Sequence, residues 1–322
     1  MIRSIIKKFL KKKNIFNSVI FGDVIYDFYN EVKINKISAE APVFVVSPIP
    51  NKKFFFFGGA GNVFNNLINS GVSTSLVSIR GSSEINNYLK KINSYKKVFF
   101  IIDNKFKNII KTRFISNNKH LLRIDEEKEY YPKKTICDLI IKKVSNLLKK
   151  KNYLIISDYN KGIVFFNFIK KIIETNSKKN IKIIIDSKDK NLSKFANTYL
   201  IKLNLEEAKK AFNLNEILSK NSKNKIFHFL IQYNINYCVI TSGPDGAFLF
   251  TKTKQSKIFK TIKKKEVYDV SGAGDTFLAY LASALIKNMS IFDSIKIANY
   301  ASGIAVTRFG TSTISKQDLC LK

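Results

Sequence analysis

The sequence predicts an α/β fold with a mostly parallel central sheet. Short apolar runs alternate with segments whose apolar residues recur at helical spacing, an order typical of parallel strands joined by helices that cover both faces of the sheet. Four of the apolar runs end in Asp or Asn. Ligands bind beyond the carboxyl ends of the strands in such sheets, so these polar ends predict a binding site at one edge.

The predicted strands follow one another along the chain, with turns or helical stretches between them. They begin within residues 18–28, 72–81, 152–162, 181–190, 197–212 and 235–250. The four polar strand ends are Asp23, Asp158, Asp186 and Asn204. Any one of them would be explained as a loop cap, but four in turn favour a functional edge.

Two segments interrupt this alternation, and a third precedes it. Residues 24–46 and 98–124 read as extended chain with polar alternation, which predicts a small antiparallel sheet that acts as a lid. Residues 1–16 are basic and free of acidic side chains. We interpret them as a lysine-rich leader, with an amphipathic targeting or membrane-surface helix as the alternative. Residues 17–320 contain no linker-like stretch and are predicted to form one domain with a lid.

The charge of the chain is unusual, but its distribution argues against a nucleic-acid partner. The 322 residues include 56 basic and 24 acidic side chains, a formal charge of +32. The lysines are spread along the chain and accompany abundant Asn, Ile and Phe. These residues have A/T-rich codons, so genome composition explains the bias more simply. The charge would still favour encounters with sugar phosphates and nucleotides.

The cysteines and the apolar runs indicate a cytoplasmic protein without a membrane span. The three cysteines are widely separated and form no CxxC pair, so neither a disulfide framework nor a structural zinc site is expected, and a reducing compartment fits. No apolar run in the sequence reaches the length needed to span a membrane. Two histidines leave little room for histidine-based triads or metal sites.

Two glycine-containing stretches are candidates for ligand binding. In VYDVSGAGDTF (267–277), a Gly-rich turn precedes an apolar helical pattern and leaves Asp275 near the helix start, where free backbone N–H groups can bind an anion. This motif alone is equally consistent with helix capping. In FFFFGGAGN (54–62), adjacent glycines permit close approach of a ligand, and Asn62 offers a donor and an acceptor. A helix–strand packing turn explains that stretch slightly better by itself.

Taken together, these motifs resemble those of a known family. GGAGN and DVSGAGDTF match, in order and separation, the two signatures of the ribokinase/PfkB carbohydrate kinases, and the resemblance extends from about residue 17 to 320. Within that family the chain is most similar to the kinase domain that acts on D-glycero-β-D-manno-heptose 7-phosphate. The stretches that carry this finer resemblance are GDVIYD (22–27), KISAEAPV (36–43), KTRFI (111–115), LLRIDEE (121–127), SDYNKG (157–162), NLEE (204–207) and RFGTSTIS (308–315).

The resemblance implies a fold and an activity. The fold would be a ribokinase-like three-layer α/β/α sandwich with a mostly parallel central sheet and a small β lid. The activity would be transfer of the ATP γ-phosphate to the anomeric hydroxyl of the heptose 7-phosphate, giving a 1,7-bisphosphate precursor of ADP-heptose for the lipopolysaccharide core. Asp275 would be the general base. The amides of Gly272, Ala273 and Gly274 would hold the charge of the transferred phosphoryl group.

The resemblance also implies contacts with the nucleotide and with cations. Asn204 and Glu207 would organise Mg²⁺ with the nucleotide phosphates; a helix N-cap with an acidic first turn is the alternative. The residues expected along the nucleotide are Thr241, Gly243, Gly246 and Asn299, in addition to Asn204. A plain hairpin turn explains the 241–246 stretch almost as well. Asp269 would help to hold a monovalent cation.

For the sugar, the resemblance implies two groups of residues. The hydroxyl ligands would be Asp23, Asp27, Gly59 and Asn62, and the 7-phosphate ligands would be Arg113, Arg123 and Lys161. Arg offers a planar two-donor fork and Lys a point charge. Solvated lid charges are the alternative, which the scarcity of Arg in this chain makes weaker for the two arginines.

Some features depart from the family pattern or leave alternatives open. Ser187 and Leu203 stand where the heptose kinases usually have Pro, which bears on nucleotide affinity and stability rather than on the reaction class. The rival functions are a kinase for another sugar or sugar phosphate and a non-catalytic sugar-phosphate-binding descendant. Relatives commonly dimerise through their lids, so a homodimer is expected.

Overall fold

The computed structural model has the α/β architecture that the sequence predicts. It describes residues 2–13, 16–81, 95–117, 119–148, 153–164, 166–177, 181–261 and 267–320. Helices cover both faces of a large, mostly parallel sheet, and a smaller sheet stands beside it. The predicted fold class is therefore confirmed.

Helices and strands alternate through most of the chain. The helices are α1 (Ile2–Lys11), α2 (Ala60–Asn69), α3 (Lys134–Leu148), α4 (Phe166–Ser177), α5 (Leu205–Phe212), α6 (Lys220–Gln232), α7 (Ala273–Ile286) and α8 (Ile291–Ala305). The strands are β1 (Ser18–Gly22), β2 (Val24–Ile37), β3 (Phe44–Gly59), β4 (Thr74–Arg80), β5 (Val98–Ile102), β6 (Ile109–Ser116), β7 (Lys119–Glu126), β8 (Tyr153–Asp158), β9 (Lys182–Ser187), β10 (Leu200–Asn204), β11 (Tyr237–Thr241), β12 (Ala247–Thr251) and β13 (Ser256–Phe259).

The strand order of the main sheet places a crevice beside β1. The order is β13-β12-β11-β10-β9-β8-β1-β4-β5. The pairs from β11 to β5 are parallel, and β12 and β13 add an antiparallel edge. Because the chain builds outward in both directions from β1, the order reverses between β1 and β8, where ligands bind in open α/β sheets. The register pairs Gly22 with Ser157, so the next residues, Asp23 and Asp158, meet at this edge.

Alternate residues of the main strands face two separate apolar layers. On β8, Ile155 belongs to the layer shared with α1, α2, α7 and α8, whereas Ile156 belongs to the layer shared with α3, α4, α5 and α6. Successive side chains of a strand point to opposite faces, so a strand covered on both sides must be apolar at successive positions. The apolar runs of the sequence satisfy this condition, and the result is a three-layer sandwich.

The basic leader contains helix α1, which packs against the sandwich. Ile5, Ile6 and Phe9 are buried in the same layer as α7 and α8. Lys287 Nζ lies 3.8 Å from the centroid of the Phe9 ring and donates a hydrogen bond to the Ser70 carbonyl at 3.0 Å. The apolar face of α1 is thus covered by the protein itself. The domain boundary at residue 16 stays a prediction, and no helix within the described ranges is both long and apolar enough to cross a membrane.

The smaller sheet forms the lid, with two differences from the prediction. Its order is β3-β2-β6-β7, and β2 pairs with β6 in parallel, not antiparallel. Both strands leave the carboxyl edge of the main sheet, β2 after β1 and β6 after β5, so they run in the same direction. The second difference is β5, predicted to belong to the lid, which pairs with β4 in the main sheet. Its side chains pack against both apolar layers, which suits a strand of the sandwich.

Candidate active site

Helix α7 begins in a Gly-rich turn, as predicted, with Asp275 in its first turn. Gly272 is the N-cap, with φ 75°, a left-handed conformation that Gly adopts at little cost. A Cβ at this position would lie 2.7 Å from Asn62 Nδ2 and 2.9 Å from Thr311 Cγ2. The turn therefore requires Gly for its conformation and for the space beside Asn62.

The carboxylate of Asp275 is buried and held from two sides. Its Oδ1 accepts a hydrogen bond from the Tyr159 hydroxyl at 2.6 Å, and its Oδ2 accepts one from Asn62 Nδ2 at 3.2 Å. Burial raises the pKa of Asp275 to about 6, although the bond from Tyr159 opposes the rise. Each oxygen retains a lone pair, so the carboxylate can accept a proton near neutral pH.

Asp23, between β1 and β2, contacts Tyr159 through its side chain and Gly59 through its backbone carbonyl. Asp23 Oδ2 accepts a hydrogen bond from the Tyr159 backbone N–H at 2.7 Å, while Oδ1 is buried with no partner. Gly59 precedes α2 and has φ 57°, and a Cβ there would collide with the Asp23 carbonyl. A buried carboxylate oxygen without a partner is costly unless a ligand supplies one, which suits the predicted contact with a sugar hydroxyl.

The pH dependence of stability distinguishes a buried Asp23 from an exposed carboxylate that only caps a loop. Burial, with repulsion from Asp158, raises the pKa of Asp23 from 3.8 to about 7. Between these values the folded protein holds a proton that the unfolded chain has released, so stability falls as the pH rises. Above about pH 7 we expect Asp23→Asn to raise the free energy of unfolding by at most about 4 kcal/mol, and with it the melting temperature. This advantage should disappear towards about pH 4. Thermal unfolding across this range measures it.

The matched control is Asp138→Asn, which removes a carboxylate whose side chain is 52% exposed. Its melting temperature should follow the wild-type curve at every pH. An Asp23→Asn variant that is equally destabilised at all pH values would contradict the raised pKa of a buried Asp23.

Asp27 and Arg113, predicted as separate ligands of the substrate, form a buried ion pair across β2 and β6. The Arg113 guanidinium also lies 5.0 Å from the centroid of the Tyr29 ring. Burial raises the pKa of Asp27 although Arg113 opposes the rise. A phosphate would have to share Arg113 with Asp27, so the structure gives this arginine a second role in holding the lid strands together.

The other two predicted phosphate ligands belong to a chain of alternating charges along the lid. Arg123 pairs with Asp125 at 2.8 Å, Asp125 with Lys111 at 2.8 Å, Lys111 with Glu127 at 3.6 Å, and Glu127 with Lys161. Three cations share two carboxylates, which leaves one excess positive charge. Arg113 and Arg123 are also opposite each other in the register of β6 and β7.

The predicted nucleotide residues line one cavity of about 720 Å³. The residues predicted for the nucleotide, the metal and the phosphoryl group that line it are Asn204, Glu207, Thr241, Gly243, Gly246, Ala273, Gly274, Asp275 and Asn299. The N–H of Ala273 makes only a long bond of 3.3 Å to the Val270 carbonyl, and first-turn amides have no intrahelical partner. The helix start is therefore open to an anion. Gly272 and Asn62 do not line this cavity. Asn62 Nδ2 instead donates to Asp275 Oδ2 and to the Gly272 carbonyl, and the predicted contact of the Gly272 amide with the phosphoryl group stays a prediction.

Asn204 and Glu207 form a reciprocal capping box at the start of α5, which was the alternative explanation for them. Glu207 N–H donates to Asn204 Oδ1 at 2.8 Å, and Asn204 N–H donates to Glu207 Oε2 at 2.7 Å. Both side chains also face the cavity. Burial raises the pKa of Glu207, with a smaller contribution from Asp186, so the two carboxylates are close enough to interact.

This donor set fits a divalent cation held mainly through water and phosphate oxygens. Within the described ranges, no group of three or more His, Cys, Asp or Glu side chains could enclose a metal ion. Mg²⁺ usually keeps several waters and uses one or two carboxylates together with substrate phosphates. Glu207 can supply one carboxylate at the cavity wall, with the Asn204 side chain beside it, whereas Asp186 is paired with Lys202.

Asp269 is fully engaged by the protein. Its Oδ1 accepts from the Ser271 N–H at 2.8 Å, and its Oδ2 accepts from the Gly310 N–H at 3.2 Å and from the Tyr29 hydroxyl at 3.3 Å. It joins the Gly-rich turn to the lid and to the 308–312 loop. The monovalent cation stays a prediction.

Three residues of the cavity were not assigned a role by sequence reasoning. Tyr159 was seen only as part of a family motif, yet it binds Asp275 and Asp23. Lys202 donates to Asp186 at 2.9 Å and is buried in β10; a lysine inside the apolar run YLIKL was a signal that could have found it. Lys188 lies over the Tyr159 ring, with Nζ 3.8 Å from its centroid.

Comparison with known families assigns the chain. A model of the pfkB family carbohydrate kinases matches residues 16–318. The chain belongs to this family. It is therefore a carbohydrate kinase, and the family implies ATP and a divalent cation as its cofactors.

The chain is also similar to part of several longer curated proteins. The chain is 32% identical over 313 residues to the bifunctional protein HldE of Aliarcobacter butzleri and 31% identical over 307 residues to that of Haemophilus influenzae. These matches cover 96% and 94% of this chain, but only 64% and 62% of the relatives. The chain thus spans less than two thirds of the length of proteins named as bifunctional.

Solved structures confirm the ribokinase-like fold. Phosphofructokinase-2 from Escherichia coli, in complex with substrates and products, superposes with a TM-score of 0.76 at 16% identity, over 95% of this chain and 97% of that chain. The Arabidopsis thaliana ribokinase complexed with ribose and ATP gives a TM-score of 0.70 at 13% identity, over 94% and 97%. At these identities the likeness concerns the fold alone.

Proposed function

We propose that this kinase transfers the ATP γ-phosphate to the anomeric hydroxyl of D-glycero-β-D-manno-heptose 7-phosphate and forms the 1,7-bisphosphate, a precursor of ADP-heptose for the lipopolysaccharide core. The observation that carries the proposal is the position of Asp275. It is a buried carboxylate at an open helix N-terminus, between the cavity and the Asp23 side of the crevice. A base and an anion site in contact with each other suit phosphoryl transfer.

The proposed step follows from these positions. The sugar hydroxyl gives its proton to Asp275 while its oxygen bonds to the γ-phosphorus, and the bond from that phosphorus to the ADP oxygen breaks. The transition state is loose, so positioning matters more than the strength of the base. Asn62 and Tyr159 fix the carboxylate, and the amides of Ala273 and Gly274 receive the charge on the transferred group.

Mg²⁺ would neutralise the charge of the nucleotide phosphates when bound, near Glu207 and Asn204. The nucleotide itself would lie along Thr241, Gly243, Gly246 and Asn299. We also propose a cytoplasmic location, where ATP is available; the three cysteines are free thiols, as in a reducing compartment.

The charge chain of the lid supports a phosphorylated substrate. Arg123, Lys111 and Lys161 carry one more charge than their carboxylate partners, and Arg113 lies opposite Arg123. A phosphate could displace a carboxylate partner from these side chains. A non-phosphorylated sugar would not pair with the excess positive charge of these side chains.

We further propose a homodimer joined through the lids. The lid carries large apolar side chains that are exposed in the single chain: Ile37, Val43, Phe44, Leu122 and Ile124. Large apolar side chains that are exposed on one small sheet would be covered in an interface between two lids. Light scattering after size exclusion should give twice the chain mass, and a monomer at micromolar concentration would contradict the proposal.

A substrate panel tests the proposed function. ATP-dependent phosphorylation is measured with heptose 7-phosphate, hexose 6-phosphates, pentose 5-phosphates and the unphosphorylated sugars. We expect selective turnover of the heptose 7-phosphate. Preferred turnover of another sugar would support the kinase activity but overturn the heptose 7-phosphate as its substrate. Binding without turnover of any sugar would favour a non-catalytic sugar-phosphate-binding protein.

A further inference from the structure

Lys188 lies between the proposed sugar side of the site, at Asp275, and its proposed nucleotide side, at Glu207. It follows β9, and its backbone N–H donates to the Asp158 carbonyl at 3.0 Å. This bond sets it beside Tyr159, the residue after β8. Its Nζ lies 3.8 Å from the centroid of the Tyr159 ring, whose hydroxyl binds Asp275. The aromatic face holds the ammonium group without neutralising it.

The two lysines that line the cavity within the described ranges differ in their partners. Lys202 is buried and paired with Asp186 at 2.9 Å. Lys188 lines the same cavity, and within the described part of the chain its Nζ has neither a hydrogen bond nor an ion pair there. The Lys188 side chain stays exposed where it lines the cavity. Partial desolvation by the cavity wall lowers its pKa, while Asp275, Asp186 and Glu207 oppose this in that order. Lys188 thus interacts electrostatically with Asp275 and with the carboxylates on the proposed nucleotide side of the cavity.

The group that moves between nucleotide and sugar must pass through this region, because it leaves from the Glu207 side and arrives at the Asp275 side. We propose that Lys188 is a catalytic residue whose Nζ contacts the transferred phosphoryl group and carries part of its negative charge. This inference deepens the proposed function and rests on it for the site. Lys188 takes no proton in the step; it donates N–H bonds to phosphoryl oxygens while Asp275 accepts the proton of the hydroxyl.

Kinetics and nucleotide binding test this role together. For Lys188→Met we expect kcat to fall about 100-fold with the sugar KM within about threefold, as for loss of one charge-stabilising donor. Lys188→Arg keeps the charge and should recover part of the rate. The control is Lys190→Met, at a lysine that is exposed like Lys188 but does not line the cavity, and it should leave kcat unchanged. A Lys188→Met enzyme with wild-type kcat would overturn the proposal.

Nucleotide binding tests the contact of Lys188 with the γ-phosphate independently of turnover. If the wild-type protein phosphorylates no sugar, the proposed function is overturned, but the binding test still applies. Calorimetry compares ADP with a non-hydrolysable ATP analogue in the presence of Mg²⁺. Lys188→Met should weaken the analogue about 10-fold and ADP less than about threefold, since only the analogue carries a γ-phosphate for a charge-assisted bond. Equal weakening of both ligands, or of neither, contradicts contact with the γ-phosphate.

Discussion

Asp275→Asn is expected to lower kcat by about 10²–10⁴-fold, the usual contribution of a positioned general base. The amide keeps the shape of the side chain but cannot take the proton of the hydroxyl. Binding of ATP should change little, because the helix amides that face the phosphate remain. Steady-state rates with the preferred sugar, together with nucleotide affinity, measure both effects.

Asp293 provides the matched control. It stands in the first turn of α8, as Asp275 does in α7, and its N–H is bound by the N-cap Ser290. Both carboxylates would favour a helix start by similar electrostatics, so Asp293→Asn reports the capping contribution alone. Similar rates for the two variants would show that Asp275 only caps its helix.

Gly272→Ala is the second substitution with a large expected effect, and it acts through position alone. The new Cβ would strain a residue at φ 75° and push against Asn62 Nδ2 at 2.7 Å. Asn62 would then lose its bond to Asp275, and a displacement of about 1 Å in a reacting group costs about 100-fold in rate. We expect kcat to fall by this order, with about 1–2 kcal/mol of lost stability from the left-handed conformation.

Gly71→Ala separates strain from catalysis. Gly71 has φ 86° after α2, and its new Cβ would meet the flexible end of Lys316. It should lose similar stability in thermal unfolding and keep its kcat. A Gly272→Ala enzyme with the kcat of Gly71→Ala would contradict the role of the turn in holding Asn62 and Asp275.

Local patterns account for the parts of the fold and site that could be predicted. The apolar runs show which strands are covered on both faces, and the Gly-rich turn shows where α7 begins. Since parallel strands end at one edge, Asp23, Asp158, Asp186 and Asn204 could be placed at the same side of the sheet. Asn204 and Thr241, which end adjacent parallel strands, line the same cavity for the same reason.

Contacts between distant segments could not be predicted in this way. The bond from Tyr159 to Asp275 joins residues that are 116 positions apart, and nothing local in either segment specifies it. The pairing of Asp27 with Arg113 depends on the parallel register of β2 and β6, and the same polar residues would suit a substrate. β5 looked like lid chain because its sequence does not show which sheet it will join.

A single-turnover reaction with γ-labelled ATP and heptose 7-phosphate follows the transferred phosphate itself. We expect the label to appear in an acid-labile anomeric phosphate, in step with ADP, and Asp275→Asn to form both products about 10²–10⁴-fold more slowly. Release of the label only as inorganic phosphate, or transfer that Asp275→Asn leaves intact, would contradict a sugar kinase with Asp275 as its base.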